Sequence, residues 1–116
     1  MPVSDGFRAL VLDNLDALPG LTARPMFGGL GLYSNGVFFG IVAADLLYFR
    51  VDADSRVEYV RCRARAFKPF PNRPASRNYY AVPPGVLESP RDLVSWARRA
   101  VRAASRHRDR SRKSDG

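Results

Sequence analysis

At 116 residues the chain has the size of one domain, and its 46% apolar and 11% aromatic content is that of a globular protein rather than a disordered one. One cysteine and one histidine exclude an internal disulfide and offer no complete zinc ligand set. The net charge of +8 is uneven: residues 1–58 are slightly acidic, residues 59–87 hold six cations and no carboxylate, and residues 98–116 hold eight cations against two carboxylates. Such asymmetry points to a polyanionic partner or to a solubilising surface.

Ser4 and Asp5 read as an N-terminal cap, and Phe7, Val11, Leu15 and Leu18 recur on one face of a first helix that Pro19-Gly20 ends. Short β-like runs follow at Thr22–Phe27, Gly29–Tyr33, Val37–Ala43 and Leu46–Arg50. Ser34-Asn35-Gly36 predicts a tight hairpin, because Asn-Gly accepts the positive φ angles of a two-residue turn, and Ala44-Asp45 predicts the next reversal. These runs form an antiparallel meander with one face in need of helical cover.

Asp52 or Asp54 caps a short peripheral helix running to about Arg63. Phe67 to Ser76, with three prolines, predicts an irregular loop, and Arg77–Val82 returns to strand before Pro83-Pro84-Gly85. Ser89-Pro90-x-Asp92 then starts a long helix with a capping serine, a proline at the first position and an acidic first turn. Its apolar stripe is Leu93, Trp96, Ala97, Ala100, Val101 and Ala104; its opposite stripe is Arg91, Ser95, Arg98, Arg102 and Arg106. The expected organisation is an α+β, two-layer domain over residues 1–105, its antiparallel sheet packed against N-terminal and C-terminal helices. A disordered basic tail is expected over 106–116.

Four groups of residues invite a chemical reading. Gly28-Gly29-Leu30-Gly31 lacks the Gly-Lys-Ser/Thr ending of a phosphate loop and has no helix after it, so a structural bulge or tight strand start is expected. Cys62 has flanking arginines but no base at hand, and Asp45, Asp52, Asp54 and Glu58 are expected to serve turns and caps. Tyr79 and Tyr80 resemble base-stacking residues, but neighbours in a strand face opposite ways, so at most one is on any platform. The cationic set Arg98, Arg102, Arg106, Arg108, Arg110, Arg112 and Lys113 is the candidate nucleic-acid surface, suited to phosphates but not to base sequence. No catalytic residue, metal or cofactor is expected.

The run Pro25-Met26-Phe27-Gly28-Gly29-Leu30-Gly31-Leu32-Tyr33 and its Asn35-Gly36 turn resemble the signature of the TfoX N-terminal domain family. Leu47-Tyr48-Phe49-Arg50-Val51-Asp52, Tyr79-Tyr80-Ala81-Val82-Pro83 and Trp96 agree with it in order, so the resemblance covers roughly residues 5–104. It implies a two-layer α+β fold and a non-enzymatic regulatory or adaptor role near transcription and natural competence, alongside the cyclic-AMP receptor protein. A protein partner from the transcription machinery is therefore expected, with sequence-independent nucleic-acid binding as the alternative. The start Met-Pro-Val-Ser-Asp-Gly lacks a signal-peptide pattern and the longest apolar run is eight residues, so a cytoplasmic location away from the membrane is expected. An open sheet edge or face also offers a route to a homodimer.

Overall fold

The computed structural model describes residues 3–26 and 28–115, with side chains to His107. Helix α1 (Asp5–Asn14) leads into five strands, β1 (Leu21–Met26), β2 (Gly29–Ser34), β3 (Val37–Ala43), β4 (Leu46–Arg50) and, after helix α2 (Ala53–Arg61), β5 (Tyr79–Ala81). Helices α3 (Pro84–Leu87) and α4 (Pro90–Asp115) complete the chain. The strands form one sheet in the order β1-β2-β3-β4-β5, every pair antiparallel. The expected α+β fold and meander are therefore present.

The turns follow from local chemistry. Asn35 (φ 49°) and Gly36 (φ 82°) both take the left-handed region, as a two-residue hairpin demands. Ala44 (φ 50°) and Asp45 (φ 56°) do the same without a glycine, and the Asp45 carboxylate accepts the Ser4 N–H at 2.7 Å, tying this turn to the start of α1. α1 stops at Asn14, short of Pro19; Leu15 and Leu18 stay buried in the turn that follows, so the apolar spacing persists although the helix does not. α3 occupies Pro84-Gly85-Val86-Leu87 behind Pro83 at its N-cap, where the sequence suggested only a strand end, and proline at its first position needs no N–H partner there.

A β-bulge sets the faces of the sheet. Leu32 pairs with Gly40 and Tyr33 with Phe38, which leaves Phe39 as the extra residue on β3. Phe39 thus joins Val42 on the helix side, while Phe38 joins Ile41 on the other. The helix-side core contains Val11, Leu32, Phe39, Phe49 and Leu93, with Phe39 and Phe49 rings 5.7 Å apart. Ala97 and Ala100 let α4 lie close over β3 and β4.

Loop residues 65–67 extend the β5 edge through an isolated bridge between Ala66 and Tyr80. The Ala81 N–H donates to the Arg65 carbonyl, and the Phe67 N–H to that of Tyr79. The loop then lays Phe67 over Tyr48, rings 4.9 Å apart, on the sheet face away from α4.

Candidate functional site

Of the cationic set, Arg98, Arg102 and Arg106 are exposed on α4. The side chains of Arg108, Arg110, Arg112 and Lys113 lie outside the described residues; the backbone of the segment expected as a disordered tail continues α4 to Asp115. The capping box of α2 stands opposite the α4 arginines: Asp52 Oδ1 accepts the Ser55 N–H at 2.8 Å, and Ser55 Oγ accepts the Asp52 N–H at 3.0 Å. The resulting cleft, about 410 Å³, sets Asp52, Asp54 and Glu58 against Arg61, Arg99, Arg102 and Arg106. Glu58 pairs with Arg99, and Asp52 with Arg106 at 3.6 Å.

That cleft is of mixed charge, and two of its arginines already have carboxylate partners. The Ser55 N–H and hydroxyl, with Arg106 beyond them, hold the Asp52 carboxyl below the usual carboxylate range. Arg99, which the sequence did not single out, also stacks over the Trp96 ring at 5.3 Å. Arg98 and Arg102 enter no salt bridge among the described residues.

The glycine run builds strand geometry. Gly28 turns the chain at φ 78°, and a side chain at Gly29 would collide with the Val42 carbonyl. Gly31 sits beneath the Phe38, Met26 and Tyr33 side chains, so its missing Cβ admits the rings to the sheet. Cys62 is an exposed free thiol at the end of α2. Among the described residues no group of three or more His, Cys, Asp or Glu could hold a metal ion, and no helix is long and apolar enough to cross a membrane.

Tyr79 and Tyr80 separate as strand alternation requires. Tyr80 turns inward with its ring 6.1 Å from Tyr59, which itself meets Trp96 edge-on at 4.9 Å. Burial pushes the Tyr59 hydroxyl well above its ordinary pKa. Tyr79 faces the other way and completes a line of side chains across the sheet. Arg24 on β1 lies 5.2 Å over Tyr33 on β2; Tyr33 lies 5.2 Å from Phe38 on β3; Phe38 lies 5.9 Å from Tyr79 on β5; and Arg50 on β4 lies 5.6 Å from the Tyr79 ring.

All five strands contribute to this outer stripe. Beside it, Ile41, Phe67, Phe70, Arg73 and Tyr79 line a groove of about 300 Å³, with Phe70 50% exposed and Arg73 stacked 5.5 Å over its ring. Sequence reasoning found only Tyr79 of this surface, since the remainder depends on register and on the bulge.

Fold and surfaces together define a small meander-sheet α+β domain that displays two faces of different chemistry: a mixed-charge cleft at α2 and α4, and an aromatic, arginine-flanked sheet face. The chain belongs to the TfoX N-terminal domain family, whose model matches residues 13–104. A search among curated proteins finds no match.

Proposed function

We propose that this chain is a non-enzymatic regulatory or adaptor domain, linked to transcription or competence regulation and acting in the cytoplasm through contacts with a protein of the transcription machinery. The observation that carries the proposal is family membership over residues 13–104. Local geometry supports it, since the carboxylates that invite an acid/base reading have structural work: Asp52 caps α2, Asp45 holds the Ser4 N–H and Glu58 pairs with Arg99.

The test is transcript profiling of a strain lacking the gene, with and without re-expression of the chain. A restored set of transcripts is expected. Loss of the gene with no change in transcripts and a changed metabolite pool would refute the reading.

A second reading, sequence-independent nucleic-acid binding by α4, is motivated by Arg98 and Arg102, which are exposed and outside any salt bridge among the described residues. Anisotropy titration of the Arg98→Ala, Arg102→Ala double variant at low and high salt decides it. Unchanged affinity and salt dependence remove it.

A further inference from the structure

The outer sheet face has three properties that belong together. It is aromatic, through Tyr33, Phe38, Tyr79 and the half-exposed Phe70. It is cationic, because Arg24, Arg50 and Arg73 each lie over one of its rings, and the exposed Arg65 stands two residues before Phe67 in the segment that extends the β5 edge. None of these four arginines enters a salt bridge among the described residues, in contrast to Arg99 and Arg106 on α4.

Residues 62–81, the loop and strand beside it, hold Arg63, Arg65, Lys68, Arg73 and Arg77 and no carboxylate. A core aromatic cluster has no need of arginines at its rim, and a solvated cationic patch has no need of rings. Guanidinium groups over rings on a face without carboxylates match a ligand that presents π faces and negative charge in alternation.

We propose that the outer face of the sheet is a binding surface for single-stranded nucleic acid. Bases stack on the stripe of Tyr33, Phe38 and Tyr79 and against Phe70 at the groove, while Arg24, Arg50, Arg65 and Arg73 meet the phosphates. The contacts are to π faces and phosphates, not to base edges, so the surface binds with little sequence preference. It faces away from α4 and is independent of both the adaptor reading and the cationic helix.

Equilibrium anisotropy with the full chain and a labelled short oligouridine, followed by ultraviolet crosslinking and peptide mapping, tests this. The wild type is expected to bind with affinity that falls as salt rises. The Arg24→Ala, Arg73→Ala double variant, both positions exposed, is expected to lower the salt slope by about 1.4, at about 0.7 per phosphate contact on a single strand. Tyr33→Leu keeps the apolar bulk but removes the ring, and is expected to weaken binding about tenfold at an unchanged slope. Phe70→Ala, at an exposed position, gives a second stacking readout if Tyr33→Leu alters the fold.

Crosslinks are expected in peptides of residues 21–38 and 67–81. Any one of these results overturns the proposal: no binding at low salt; crosslinks confined to α4; stripe variants that bind like the wild type; or displacement by polyglutamate as effective, per charge, as displacement by unlabelled oligouridine. Sedimentation that shows the stripe buried between two copies of the chain, with the dimer lost in the same variants, also overturns it.

Discussion

Replacing Asp52 with alanine removes two interactions at once, and the structure allows them to be separated. The first is the capping box, in which Asp52 Oδ1 accepts the Ser55 N–H at 2.8 Å; loss of such a cap costs about 1 kcal/mol. The second is the contact with Arg106 at 3.6 Å, between side chains 32% and 60% exposed, which is worth at most about 0.5 kcal/mol. Asp52→Ala should therefore destabilise by about 1–1.5 kcal/mol, a fall in Tm of about 4–8 °C for a domain of this size.

Asp52→Asn keeps an acceptor oxygen and should cost only a few tenths of a kcal/mol. The pH dependence has a definite sign. Because the folded carboxyl is held below its ordinary value, first by the Ser55 N–H, its contribution is full above pH about 4 and lost as pH falls through the folded pKa. Urea unfolding followed by circular dichroism, at neutral pH and at successive acid steps, measures both effects. The reasoning fails if alanine and asparagine cost the same, or if the gap between wild type and Asp52→Ala stays constant through the acid range.

Three further outcomes are expected. Phe39→Ala empties a fully buried site against Phe49 at the bulge and should cost about 3–5 kcal/mol in denaturant unfolding. Ala44→Gly relieves a left-handed backbone at an exposed turn and should raise stability by about 1 kcal/mol, visible as a higher Tm. Burial raises the hydroxyl pKa values of Tyr48, Tyr59 and Tyr79, so folding favours their neutral forms; stability should be level below pH about 10 and decline above it as they ionise, measured by tyrosinate absorbance alongside unfolding.

Periodicity and turn chemistry carried most of the architecture. The meander was legible because Asn35-Gly36 and Ala44-Asp45 punctuate short β-rich runs, and α4 because Ser89 caps it at the Asp92 N–H and Leu93, Ala97 and Ala100 recur on its buried face. The bulge was not legible. Simple alternation groups Phe39 with Ile41 and Phe38 with Val42, whereas the extra residue at Phe39 reverses both assignments.

The outer stripe depends on that reversal, since Phe38 bridges Tyr33 and Tyr79 only when it faces away from α4. Charge along the chain located the cations but not their partners. Arg99 and Arg106 meet Glu58 and Asp52 only because α2 folds back beside α4, a tertiary fact that no local pattern encodes.

The most direct test of the regulatory account is complementation of the deletion strain, read out by transcript levels, with two sets of variants. Asp54→Asn, Glu58→Gln, Cys62→Ser removes groups that an enzyme reading would need at exposed positions. Arg24→Ala, Phe70→Ala, Arg73→Ala removes exposed groups of the sheet face. The second set reports separately on whether the sheet face takes part. A non-enzymatic regulator predicts full restoration by the first set, and failure of that folded variant to restore the transcripts would contradict it.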